Sequence, residues 1–182
     1  MNQDILSFPV PKTGKISLVV APRTVISSLM SMLAVLALRG QVIVVDGGNC
    51  FDGYALARTL RRSTHQLQAA LERVSLSRAF TCYQMAAMLA KLPINGTPVI
   101  VLDMLATFLD ENVNFTKRQR LLDNSLNLLR RISVGAPVAI WSRARTSPGE
   151  EDLQLLTPLL ETAHDIWELE IPKVSVHQLP LF

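Results

Sequence analysis

The chain has 182 residues, of which 49% are apolar and 18% charged, with a formal net charge of +3. That length buries one good core and is too short for two ordinary domains, and the mildly basic balance permits contact with nucleic acid or an anionic surface without demanding it. The two cysteines, Cys50 and Cys82, stand far apart with no CxxC or Cys/His spacing, which argues against a disulfide framework and a zinc site and fits a reducing cytoplasm.

In chain order, residues 1–15, with Pro9 and Pro11, read as an N-terminal arm. ISLVVA (16–21) reads as a strand, followed by a Pro-Arg turn and an apolar helix over 24–39. The apolar run Val25 to Leu38 contains three serines and is flanked by Arg23 and Arg39. It falls short of the roughly 20 residues a bilayer needs, and it follows a strand rather than the basic start of a secretory signal. A core helix is expected, with no membrane contact. Strands are then expected at QVIVVDG (41–47), VSLSRAF (74–80), PVIVLDML (98–105), APVAIWS (136–142) and DIWELE (165–170), and helices over 53–72, 82–92, 117–133 and 150–161. Residues 171–182 read as a C-terminal tail marked by Pro172 and Pro180. Several strands are nearly continuous apolar runs, the pattern of strands covered on both faces. The alternation predicts an α/β domain over 16–170 with a largely parallel sheet, helices on both faces and right-handed crossovers. In such a sheet ligands sit beyond the carboxyl ends of the strands, at the loops beginning with Pro22, Gly47, Thr81, Thr107 and Arg143. His65, His164 and His177 are scattered without metal spacing, and no nucleophile signature points to a hydrolase.

The blocks VIVVDGGNCFDGYALARTLRR, LERVSLSRAFTCYQMAAMLAKL, PVIVLDMLATF and RQRLLDNSLNLLRRISVGAPVAIWS, in that order, resemble the core of the RecA/RadA recombinases and their KaiC-like relatives over about Ile16 to Glu170. The resemblance implies a RecA-like fold, and it also exposes what this chain lacks. The family's first strand runs into GxxxxGK[ST], whose glycines form an anion nest, whose Lys reaches the phosphates and whose hydroxyl binds Mg²⁺. Laid over it, APRTVISS puts Ala21 and Ile26 at the glycines and Ser27 at the Lys, and only Ser28 matches. Where the family reads Asp-x-Glu-Gly-x-Phe, this chain has Asp46, Gly47, Gly48, Asn49, Cys50 and Phe51, so Gly48 stands in place of the Glu that positions the attacking water. Asp52 is a nearby carboxylate whose plainer job is a helix N-cap. Asp103 matches the Walker B carboxylate, so Ser28 and Asp103 are the vestigial nucleotide and Mg²⁺ positions, alongside the plainer reading of Asp103 as a loop cap. A pseudo-ATPase is expected, with no catalytic residue, no cofactor and no resident metal.

In active relatives the loops after the Walker B strand and the next strand carry DNA. The corresponding cations here are Lys117, Arg118, Arg120, Arg143 and Arg145, read equally as DNA-contacting residues or as ordinary solvated charge. Arg58, Arg61 and Arg62 form a further basic cluster, but the low aromatic content offers little for stacking single strands, so weak or no direct DNA binding is expected. The chain ends in Gln178, Leu179, Pro180, Leu181 and Phe182, which resembles the bacterial sliding-clamp-binding pentapeptide. Two apolar anchors, an amide that fixes register and a proline that lowers the ordering cost suit such a motif, while the same apolar residues also suit packing on the protein's own core. Together these resemblances imply an accessory protein of bacterial DNA repair or translesion synthesis, similar in role to ImuA-type mutagenesis factors. Its expected partners are the clamp and a polymerase or recombinase. The alternatives are a SulA-like inhibitor of FtsZ and a weak KaiC-like nucleotide-binding domain.

Overall fold

The computed structural model describes residues 8–169, so the clamp-like pentapeptide at 178–182, like the rest of the tail, lies outside the described residues. Six strands, β1 (Ile16–Ala21), β2 (Val42–Asp46), β3 (Val74–Arg78), β4 (Val99–Leu102), β5 (Val138–Arg143) and β6 (Asp165–Glu168), form one sheet in the order β3-β2-β4-β5-β1-β6. Every pairing is parallel. The connections carry helices α1 (Ile26–Arg39), α2 (Gly53–Ser63), α3 (Leu67–Glu72), α4 (Cys82–Ala90), α5 (Phe115–Ser133) and α6 (Glu150–Thr162). The α/β class and the parallel sheet flanked by helices are as the alternation predicts.

Strand periodicity divides the core in two, because successive side chains point to opposite faces. Val19 and Ala21 of β1 join Val42, Val44, Ile100, Leu102 and Trp141 in one cluster under α1, α2 and α3. Leu18 and Val20 join Val45, Val99, Val101 and Ile140 in the other, under α4, α5 and α6. Every residue of β1 is buried, as a strand paired on both edges and covered on both faces requires. The one polar atom of Trp141 is satisfied: Nε1 donates to the Ala21 carbonyl at 3.2 Å. Helix α5 buries Leu122, Leu126, Leu129 and Ile132 on one stripe, each worth about 1.5–3 kcal/mol when fully removed from water.

Four details differ from the sequence expectations. The helix over 53–72 is two helices, because Thr64 is extended (φ −151°, ψ 148°) and its Oγ1 accepts the Gln66 amide, a local turn that competes with the helix. The strand over 98–105 stops at Leu102: Asp103 takes a left-handed conformation (φ 48°, ψ 52°) and Met104–Phe108 wind into a 3-10 helix. The arm is not loose from Phe8 onward, since Phe8 and Pro11 are buried and the Gly14 amide donates to the Ser133 carbonyl at 2.7 Å. The strand expected over 74–80 stops at Arg78, and as β3 it lies at the sheet edge with Ser75, Leu76, Ser77 and Arg78 all exposed. Among the described residues no helix is long and apolar enough to cross a membrane.

The division of helices between faces creates two crevices at the carboxyl edge of the sheet. Neighbours β2 and β4 send the chain to opposite faces, as do neighbours β1 and β5. A parallel sheet offers its ligand positions at such switch points.

Candidate functional site

At the first of the expected positions the chain leaves β1, passes Pro22 and enters a 3-10 turn, Arg23–Val25, that runs directly into α1. The Val25 amide donates to the Pro22 carbonyl and the Ile26 amide to that of Arg23. These two amides are thus taken by the turn's own backbone. None of these residues adopts the left-handed backbone from which such nests are built. Ser28 lies in the first turn of α1, half-buried, while the shallow dish beside this turn is lined by Ser27, with Arg23, Asn49 and Asp52. Arg23 reaches across it to the Asn49 carbonyl at 3.4 Å. Asp52 is the N-cap of α2, its Oδ1 accepting the Ala55 amide at 2.9 Å.

The crevice between β2 and β4 is closed by packing. Asp46, fully buried at the end of β2, accepts the amides of Cys50 and Phe51 at 3.0 Å and the Cys50 thiol at 3.3 Å, which folds the loop back on its own strand. Burial and the adjacent Asp46 carboxylate push the Cys50 thiol far above its ordinary range, so this cysteine is a structural, protonated one. The fold-back brings Gly47 and Gly48 against β4. A Cβ on Gly47 would stand 2.9 Å from the Asp103 carbonyl oxygen, and one on Gly48 would stand 2.5 Å from the Asp103 Cβ and 2.8 Å from its Cγ. The side chain of Asp103 therefore fills the space into which a larger residue at 48 would project.

Asp103 is turned there by its left-handed backbone, a conformation Asp tolerates better than most residues. It is 3% exposed; Oδ1 accepts the Arg143 amide at 3.2 Å and Oδ2 lies 2.7 Å from the Arg143 guanidinium. The guanidinium contact is an ion pair without an aligned hydrogen bond, which leaves Oδ2 buried with no hydrogen-bond donor. Burial raises the carboxyl above its ordinary value, and Arg143 opposes the shift. Asp103 is thus a tie between the ends of β4 and β5, not a cap of the following helix, where it makes no side-chain bond. The structure does not bring Ser28 and Asp103 into one cavity.

No family model matches the chain, and no curated protein is significantly similar to it.

Asp103 and Arg143 also mark the edge of a cleft of about 410 Å³ between the 3-10 helix 104–108, the loop after β5 and α6. Its walls are largely apolar, with Val20, Leu105, Leu109, Pro148 and Leu156, and Arg145, Asp152 and Glu168 also line it. Arg145 is held by Asp152 at 2.6 Å. Of the five cations read as DNA-contacting, Arg118 is not at the surface. It is 3% exposed, donates to the Phe108 carbonyl at 3.1 Å and pairs with Glu151 at 2.6 Å, holding the 3-10 helix, α5 and α6 together. Lys117 sits over the Tyr83 ring at 5.1 Å and Arg120 is exposed, while Arg143 and Arg145 are paired with Asp103 and Asp152. Sequence reasoning named the loops beginning at Thr107 and Arg143, which line this cleft, but not the cleft itself, because the apolar stretch after Asp103 reads equally well as more strand.

Proposed function

We propose that this chain is a non-catalytic, RecA-like accessory protein of bacterial DNA repair or translesion synthesis that acts in the cytoplasm through protein contacts, among them one with the sliding clamp. The observation that carries the non-catalytic part is the contact between Gly48 and Asp103. Hydrolysis in the resembled family uses a Glu at the position of Gly48 to orient water and the carboxylate at Asp103 to hold Mg²⁺. Here the second carboxylate occupies the room the first would need and is tied to Arg143. The turn at Pro22–Val25, whose Val25 amide and the Ile26 amide after it are bonded to the turn's own carbonyls, favours the same reading.

The clamp contact is drawn from QLPLF at 178–182. A pentapeptide of this kind gains affinity from a few buried anchors rather than from area, so Leu181 and Phe182 carry it and Gln178 sets its register. The test is binding of the full chain to a bacterial sliding clamp, with and without residues 178–182. Binding that disappears with the pentapeptide supports the reading, and equal binding or none in both forms refutes it. ATP turnover above contaminant level that vanishes in Asp103→Ala refutes the non-catalytic part.

A further inference from the structure

The sheet ends in two unlike edges. At β6 the strand carries a carboxylate at both ends, Asp165 and Glu168, the kind of charge that discourages a second strand from pairing there. At β3 that guard is thin: the sequence VSLSR holds no Pro and one charge, and Ser75 to Arg78 are exposed. The hydrogen bonds to β2 fix which backbone groups of β3 face outward. The Val42 amide donates to the Arg73 carbonyl at 2.9 Å and the Ala79 amide to the Asp46 carbonyl at 3.0 Å, in a parallel register that sets Val42 beside Val74 and Asp46 beside Arg78. Arg73, Ser75, Ser77 and Ala79 therefore turn toward β2, while Val74, Leu76 and Arg78 turn their N–H and C=O groups away from it. Among the described residues these outward groups have no hydrogen-bond partner. The surroundings are as uncharged as the strand. From Val74 to Ala90 the only charged side chain is Arg78, and Phe80, 69% exposed, and Tyr83 stand out just past the strand.

We propose that β3 pairs with β3 of a second copy of this chain, antiparallel about a two-fold axis at Leu76, so that two sheets join into one. Outward groups must meet outward groups. The antiparallel register that engages all three residues sets Leu76 opposite Leu76 and Val74 opposite Arg78, each pair exchanging two N–H···O bonds. The side chains suit the same register. Val74, Leu76 and Arg78 lie on the sheet face that carries Val42 and Val44, so the two exposed Leu76 side chains meet across the axis. Arg78 comes opposite Val74, two residues from Glu72, the exposed carboxylate at the end of α3, and not opposite a second Arg78. The charges at this edge thus meet as opposites, which favours a second copy over an arbitrary strand. A two-fold pairing uses the β3 edge of both copies, so assembly stops at two. Built on one short strand, the interface belongs to the small, weak class. It is independent of the clamp reading.

Sedimentation of the full chain from about 1 μM to about 500 μM tests the pairing, since a small interface dissociates within that range. Leu76→Lys is the companion variant, because it sets two ammonium groups against each other on the axis. Mass that rises from one chain to two, with dissociation at least about tenfold easier in Leu76→Lys, supports the proposal. A single chain at every concentration overturns it, and so does growth past two. A dimer that Leu76→Lys leaves intact also overturns it, because another face then holds the copies. Leu76→Cys keeps the test independent of how Leu76→Lys folds. A short bismaleimide should couple two copies through position 76 about tenfold faster than through Ile94→Cys, an exposed control in the loop before β4, because pairing raises the effective concentration of the two thiols. The native thiols of Cys50 and Cys82 are buried and stay out of the reaction. Equal coupling at 76 and 94 overturns the proposal.

Discussion

Arg118→Ala is expected to destabilise the fold by about 2–4 kcal/mol, a cost a surface cation does not carry. The guanidinium is 3% exposed, and its bond to the Phe108 carbonyl at 3.1 Å is a charged hydrogen bond inside the protein, worth roughly 1.5–3 kcal/mol. Its pair with Glu151 at 2.6 Å adds little, at most about 1 kcal/mol, because the Glu151 side chain is 53% exposed and solvent screens it. The aliphatic stem, packed near Phe115 with the guanidinium 5.2 Å from the ring, supplies the remainder. Arg118→Met keeps most of that stem and removes the bonds, so it should recover only the packing share. Urea unfolding followed by tryptophan fluorescence, from Trp141, which is 1% exposed, and half-buried Trp167, measures all three proteins, with exposed Arg120→Ala as a control within about 0.5 kcal/mol of wild type. An Arg118→Ala protein as stable as the Arg120→Ala control refutes the assignment of Arg118 to the core.

Gly48→Ala puts a methyl group 2.5 Å from the Asp103 Cβ, and the shift it forces should cost about 1–3 kcal/mol; combining it with Asp103→Gly should cost at least about 1 kcal/mol less than the sum of the single changes in a double-mutant cycle. Because burial holds the Asp103 carboxyl above its ordinary value of 3.8, the folded protein takes up that proton before the unfolded chain does. The cost of the buried charge is present at neutral pH and is relieved as pH falls through the folded-state value toward 3.8. The stability of wild type relative to Asp103→Asn should therefore rise on acidification in that window, and parallel urea midpoints across it refute the shift. His164→Ala withdraws the Nδ1 acceptor from the buried Ile16 amide, 3.1 Å away, and should cost about 1–2 kcal/mol, read from the same unfolding curves.

The sheet was legible because VIVVD, VIVL and VAIWS are continuous apolar runs of strand length separated by helix-length segments. The break at Thr64 was not, since no Gly or Pro marks it and the residue that ends α2 does so through its own hydroxyl. Arg118 carried a readable signal that its basic neighbours masked. It falls four residues before Leu122, on the stripe that continues through Leu126, Leu129 and Ile132, and that spacing places it inward. The fit of Gly48 against Asp103 joins two loops distant in sequence, and it depends on a left-handed backbone that apolar patterning does not report. The glycine at position 48 was visible, but not the side chain that packs against it.

That packing makes position 48 hard to enlarge. A Glu introduced at 48 finds its seat taken, and moving Asp103 aside first unfastens β4 from β5 at Arg143. Either change made alone meets a stability penalty, so positions 48 and 103 are locked to one another: a larger side chain at one is tolerated only with a smaller one at the other, while the solvent-facing surface is free to vary.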